Sequence, residues 1–429
     1  MKVRRRRGRD ARPGASADFV EMAHRRVFGT SPNLVARRRY AALLSEHGRL
    51  GVLSRMLAQP AHADRVVAEL DPEPGLSDDD FVVWAYQTLL GREPDAIGGA
   101  SALETLQRRG TRDAVVREIV RSDEYRRHAL PRYFPLVDLR SLRPDQYFER
   151  QNQEPGTWVL FQADGPEDFD WLETAILDSG YYDRPGVWRL EIETDKKLMA
   201  ELVASLEPSR VLELGCASGA VLQCLHDLGV EAEGVEISGA AIEAAFPAVR
   251  GRIHRVNATE FELSSSYDVI FGLDIFEHLN PNRLGECLKR VEAHLAPGGF
   301  VFANIPAFGH DPVFGEVFPI YIDEWRADGD RGQNYRTLHC DELGYPLNGH
   351  LIWGRSDWWV AQFEAVGLRR QPEIEAGLHR RYDDYLAGAT PARRSFYVFS
   401  KDAQPADITR IAAAINATGS AVLEALAAH

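Results

Sequence analysis

The stretch Arg210-Val-Leu-Glu-Leu-Gly-Cys-Ala-Ser-Gly219 constrains the chain most. Val211–Leu214 is short and apolar on most positions, which predicts a buried parallel strand. The run breaks at Gly215 and Gly219, and Ala220, Val221, Leu222, Cys224 and Leu225 then recur at helical spacing. A strand, a glycine turn and a helix in that order aim backbone N–H groups at an anionic or zwitterionic ligand. Glycines there let the backbone approach the ligand with no Cβ in the way. A second strand, Val230–Glu236, ends on an acid about 20 residues beyond the loop. The two oxygens of Glu236 are placed to accept from two vicinal hydroxyls.

Further strands follow at Ile253–Asn257, Asp268–Leu273, Phe300–Ile305 and Phe396–Phe399, with helical patterns between most of them. This alternation predicts an open α/β sheet whose ligand lies at the carboxyl ends of the strands. Asn257, Ala258 and Thr259 end the third strand. The fourth ends in Asp274-Ile-Phe-Glu-His278, the piece richest in titratable groups.

Four segments, Glu213–Gly219, Gly234–Glu236, Tyr267–Asp274 and Leu295–Phe302, resemble the successive motifs of class I S-adenosylmethionine-dependent methyltransferases. The family loop reads acid-x-G-x-G-x-G, and Ala217 stands at its middle glycine. The resemblance covers about residues 196–403 and implies a doubly wound, Rossmann-like α/β sheet. It implies S-adenosyl-L-methionine as cofactor, held by Glu213, Gly215, Ala217, Gly219, Glu236, Asn257, Ala258 and Asp274. His278, with Asp274, is then the expected catalytic pair, His278 taking the proton of an acceptor hydroxyl. Some methyltransferases carry a Glu-x-x-Glu-His metal motif, so Asp274, Glu277 and His278 are a second reading as divalent-metal ligands. It stands behind the base because Asp is shorter than Glu. The plain alternative is that Glu277 and His278 cap the next helix near Pro281.

Residues 306–360 form a long excursion rich in aromatic rings and histidines. His310, Tyr321, Tyr335, His350 and Trp353 are its expected substrate-binding residues. Rings interleaved with hydrogen-bonding groups suit a carbohydrate or glycan precursor, and a small satellite core is the competing reading. The readings held open beside sugar O-methylation are a small-molecule or protein methyltransferase and a non-catalytic scaffold on the same fold.

Ahead of the sheet, residues 18–64 and 80–126 repeat one frame with a constant offset of 62: Phe19 with Phe81, Gly29 with Gly91, Pro32 with Pro94, Gly48 with Gly110. The second copy resembles the small helical domain of unknown function numbered 4214. We expect a small all-α domain over 18–135, serving docking or scaffolding toward a protein partner. It is preceded by a disordered basic tail (1–17) and followed by a lead-in (136–195), the methyltransferase domain (196–403) and a C-terminal helix (404–429). In the lead-in, Tyr181, Tyr182 and Trp188 are candidates to cap the cofactor.

The net charge of −14 argues against a nucleic-acid partner. Cys216, Cys224, Cys287 and Cys340 form no C-x-x-C pair, and no apolar run is long enough to span a membrane. A cytoplasmic protein is expected; the basic tail reads as plainly disordered, and a weak electrostatic tether to the inner membrane face or to an acidic partner is the second reading.

Overall fold

The computed structural model describes residues 13–151, 156–186 and 190–427. The basic residues Lys2 to Arg12 and Trp188 lie outside the described residues. Two compact units divide the chain. One holds residues up to 137 together with 178–187, and the other holds 138–177 and the chain from 188 onward.

The first unit is helical: α1 (Pro13–Phe28), α2 (Leu34–Leu57), α3 (Pro60–Glu69), α4 (Asp78–Leu90), α5 (Ala96–Arg109), α6 (Arg112–Arg121) and α7 (Asp123–Tyr133). Because α1 starts at Pro13, the end of the expected tail is helical. The repeat frame reappears as backbone geometry. Gly29 and Gly91 are left-handed at φ 73° and 70°, and Gly48 and Gly110 at 65° and 70°. Glycine takes that conformation without steric cost: Gly29 follows α1, Gly91 and Gly110 close α4 and α5, and Gly48 breaks α2 from within. Asn33, Ser77, Asp95 and Ser122 cap helix starts through their side chains. The two copies share one core. Buried His62 meets the Val27 carbonyl at 3.2 Å through Nδ1 and the Tyr125 hydroxyl at 3.1 Å through Nε2.

The second unit runs β1 (Tyr147–Gln151), β2 (Thr157–Gln162), α8 (Pro166–Ser179), α9 (Thr194–Ala204), β3 (Arg210–Leu214), α10 (Ala220–Asp227), β4 (Glu231–Glu236), α11 (Gly239–Glu243), β5 (Ile253–Arg255), β6 (Tyr267–Leu273), α12 (Pro281–His294) and β7 (Leu295–Asn304). The last two residues of α8, Asp178 and Ser179, fall in the first unit. Then come β8 (His310–Asp311), β9 (Gly315–Glu316), α13 (Glu324–Asp330), β10 (Thr337–Cys340), α14 (Ser356–Glu364), β11 (Arg369–Arg370), α15 (Pro372–Ala389), β12 (Phe396–Ser400), α16 (Pro405–Ala417) and α17 (Ala421–Ala427).

Seven strands form the main sheet in the order β11-β12-β7-β6-β3-β4-β5. Pairs from β5 across to β7 are parallel, and β12 and β11 add antiparallel. Alternate residues feed two cores. Val211, Val269, Phe271, Phe300, Phe302 and Val398 face α9, α10, α15 and α16. Leu212, Leu214, Ile270, Val301, Tyr397 and Phe399 face α12 and α14. Apolar residues on both faces are what a sheet covered by helices on both sides requires. Strand order reverses at β3, where β4 lies on one side and β6 on the other, and that reversal opens a crevice at their carboxyl ends. The expected single C-terminal helix is two, α16 and α17, broken after Ala417, and α16 packs through Ile411 and Ile415, both buried in the first of these cores.

The lead-in and the excursion, separate in sequence, share a sheet of their own. β2 pairs with β1 on one side and with β10 on the other. Beside it stands the aromatic satellite core. Trp325 stacks on Tyr335 with centroids 4.7 Å apart, and Phe308 contacts Trp325 at 4.7 Å and Trp353 at 5.4 Å. The Trp325 indole N–H donates to the Thr337 carbonyl at 2.8 Å.

Candidate active site

The loop after β3 bends left-handed at three alternating positions: Gly215 (φ 66°), Ala217 (48°) and Gly219 (70°). A Cβ on Gly219 would stand 2.9 Å from Val249 Cγ2, so glycine is required there by space as well as by φ. Ala217 takes the conformation the absent middle glycine would have favoured. What holds it is Glu236, whose Oε2 accepts the Ala217 N–H at 2.8 Å while Oε1 accepts the Ser238 N–H at 2.6 Å. The acid at the end of β4 thus ties the glycine loop to the next turn and is buried, at 5% exposure.

Glu213, at the floor of the loop, is buried, and its Oε2 has no hydrogen-bond partner among the described residues. Burial pushes its carboxyl up to about 8, against the pull of Lys196. Asn257 turns its Oδ1 to the backbone N–H and hydroxyl of Thr259, both at 3.0 Å, so its carbonyl forms the local turn. Ala258 is buried in the core beside Phe261.

Asp274 follows β6 with φ 52°, its N–H bonded to the Asn304 carbonyl at 3.0 Å. Its carboxylate accepts from Arg393 Nη1 at 2.5 Å, and the same nitrogen donates to Asn304 Oδ1 at 2.6 Å. Arg393 Nε also reaches Asp195 at 3.3 Å. Arg393 was missed by sequence reasoning: it lies on a short turn before β12 and no motif marks it. Its partners in sequence, Pro391 and Ser395, signal only a turn.

Glu277 and His278 sit on the turn after Asp274, and the excursion covers them. The Glu277 carbonyl accepts the N–H groups of Leu351 and Ile352, each at 2.8 Å. This brings His350 beside His278, with ring centroids 4.8 Å apart and planes at 85°. The Glu277 carboxyl is fully buried, and neither oxygen has a hydrogen-bond partner among the described residues. Burial, reinforced by Asp274, holds it well above the usual carboxylate range. Burial also pulls His278 down to about 4 and His350 well below the imidazole range. Both rings are therefore neutral at physiological pH. The capping alternative fails: Asn280 caps α12, its Oδ1 accepting from Asn282 N–H at 3.0 Å with Pro281 in the first turn.

The expected substrate residues separate. His350 joins His278. Tyr335 and Trp353 lie in the satellite core at 0% and 5% exposure, their faces covered by neighbouring rings. That is a correction to their expected place on an open binding face, because aromatic surface of this size is buried first. Tyr321 stays 37% exposed, its hydroxyl 3.0 Å from His339 Nδ1 and its ring edge-on to Trp158. His310 is exposed on β8. Tyr181 and Tyr182 form a short turn within the first unit.

Residues 189–345 match the family described as a methyltransferase domain, and residues 71–129 match the domain of unknown function DUF4214. A hemagglutinin 1 of Eikenella corrodens is 28% identical over 161 residues, 34% of this chain and 52% of that protein. A ubiquinone biosynthesis O-methyltransferase of Bordetella avium (strain 197N) is 26% identical over 110 residues, 24% of this chain and 44% of that protein. The chain thus spans about half the length of these curated relatives. The crystal structure of DesVI from Streptomyces venezuelae is similar at 19% identity and a TM-score of 0.34, over 53% of this chain and 97% of that one. No helix among the described residues is long and apolar enough to cross a membrane. The chain carries a domain of the methyltransferase family, residues 189–345, behind a DUF4214 module at residues 71–129.

Proposed function

We propose that the chain transfers a methyl group from S-adenosyl-L-methionine to a hydroxyl oxygen of a carbohydrate or glycan precursor. The observation that carries the donor assignment is the Glu236 clamp. A buried carboxylate that holds the Ala217 and Ser238 N–H groups stands at the end of β4, beside a left-handed glycine loop at the point where strand order reverses. When bound, the donor supplies an activated methyl on a sulfonium. The residues of this chain bind it, orient it and exclude water, and alignment with the acceptor accounts for much of the rate. Oxygen as the acceptor atom is supported by the Bordetella relative, whose name states O-methyl transfer. The carbohydrate class is supported by the half-open ring cluster of Tyr321, Trp158 and His339, which offers faces and hydrogen-bonding groups together.

Glu213 gives this reading a measurable sign. With its acidity at about 8, most of its carboxyl is protonated at pH 7 before the donor arrives. A sulfonium and an ammonium nearby favour the ionised form, so donor binding should expel part of a proton. Calorimetry at pH 7 in two buffers of different ionisation enthalpy should therefore give different heats, and equal heats would take Glu213 away from the donor.

The function itself is tested by incubating the full chain with methyl-labelled S-adenosyl-L-methionine and panels of nucleotide sugars, glycan fragments, phenols and proteins. Label on a sugar hydroxyl is the expected outcome. Label on a phenol or protein would overturn the acceptor class, and donor binding with no transfer to any acceptor would favour a scaffold.

A further inference from the structure

We infer that Glu277, His278 and His350 together bind one first-row transition-metal dication, of which zinc is the type. One ligand atom from each residue lies within 4.8 Å of the other two. Nearest neighbours in a zinc shell stand roughly 3.3–3.6 Å apart, given bonds of about 2.0–2.2 Å. Side-chain rotations of about 1 Å would close the set.

The strongest indication is the Glu277 carboxyl. It is fully buried, and both oxygens lack a hydrogen-bond partner among the described residues. Buried polar groups nearly always have partners, and a lone carboxylate in a dry site is costly to keep. His350 Nε2 stands 3.8 Å from Oε1, too far for a hydrogen bond yet suited to an ion between them. The backbone prepares the same arrangement. The Glu277 carbonyl clamps Leu351 and Ile352, which fixes His350 across from the turn that carries the other two groups. The His278 ring bonds the backbone of Gly349, the kind of outer contact that sets the orientation of a ligating imidazole.

The donor set selects the metal. Two imidazoles and one carboxylate suit zinc, iron, cobalt or nickel, whereas magnesium and calcium prefer all-oxygen shells. The ligand set also differs from the one the sequence suggested. Asp274 is held by Arg393 instead, and His350, from a segment more than 70 residues downstream, takes its place.

The proposal deepens the reading of this turn as part of the methyltransferase site, but the binding claim does not need that reading to hold. Full-length protein stripped with a chelator and dialysed should bind one equivalent of zinc chloride by calorimetry. Cobalt(II) in its place should show visible d–d absorption. Glu277→Gln, which keeps the shape of the side chain, and His350→Ala should each weaken zinc binding by about 100-fold or more. Far-UV circular dichroism of each variant, matching the wild type, checks that the fold is intact. Absence of saturable zinc binding, or binding that survives both substitutions, would overturn the site. Zinc binding without methyl transfer would instead leave the metal site standing and remove the proposed function.

Discussion

Arg370→Met should lower the unfolding free energy of the second unit by about 3–5 kcal/mol, the cost of stranding buried charges. The Arg370 guanidinium on β11 donates from Nη1 and Nη2 to the two oxygens of Asp311, both at 2.9 Å. It also donates from Nε and Nη2 to Glu375 Oε2 on α15, at 3.0 and 2.7 Å. Both carboxyls are fully buried. Burial pushes Asp311 up, yet hydrogen bonds from Arg370, Ser356 and the Val313 N–H bring it below its ordinary range. For Glu375 burial wins, and it stays raised. Methionine fills the space but leaves two carboxyls with no cation, so both should then sit above their unfolded acidities. A group raised in the folded state contributes stability at low pH and loses it as pH rises through the folded value. The defect should therefore grow between about pH 4 and neutrality and shrink on acidification. Denaturant unfolding of both proteins across that range measures it. A loss below about 1 kcal/mol at pH 7 would show that Arg370 is not what anchors the root of the excursion. Adding Asp311→Asn and Glu375→Gln should recover part of the loss, since removing all charges is milder than removing one.

What the sequence disclosed and what it concealed divide by sequence separation. The left-handed glycines of the repeat, the loop of residues 215–219 and Glu236 are local signals: an apolar run, a residue without Cβ, an acid at fixed spacing. Asn280-Pro281 was equally local, since an N-cap followed by proline announces a helix start, and it displaces Glu277 and His278 from that role. The pairing of β2 with β10 was not legible, because Phe161 and Leu338 meet across 177 residues and alternation alone names no partner. Arg393 and Arg370 were hidden for the same reason, and His350 was named only as a substrate residue, not as a neighbour of His278. Each becomes meaningful only when folding brings it to a carboxylate far away in sequence. The aromatic excursion shows a different limit. Composition shows that rings are present but not which faces are covered, and Trp325, Tyr335 and Trp353 cover one another.

Glu236→Ala should weaken S-adenosyl-L-methionine binding by about 1.5–3 kcal/mol, the range for hydrogen bonds to a charged group. That corresponds to roughly 10- to 150-fold in Kd. Two losses combine in this one substitution. On the proposed reading the ribose hydroxyls lose an ionised acceptor at the end of β4, and Ala217 loses the bond that holds its left-handed backbone. Glu236→Gln separates them in part. A single amide oxygen can accept from one of the two N–H groups at residues 217 and 238, while its NH2 faces the other as a second donor. Its donor affinity should fall nearly as far as that of alanine even though the shape is kept. Thermal unfolding distinguishes the roles. A melting temperature that falls in both variants while affinity stays at the wild-type value would reduce Glu236 to a clamp on the loop. Affinity that collapses in both, with methyl transfer recovered at saturating donor, is the outcome expected of a residue that holds the donor and takes no part in the transfer itself.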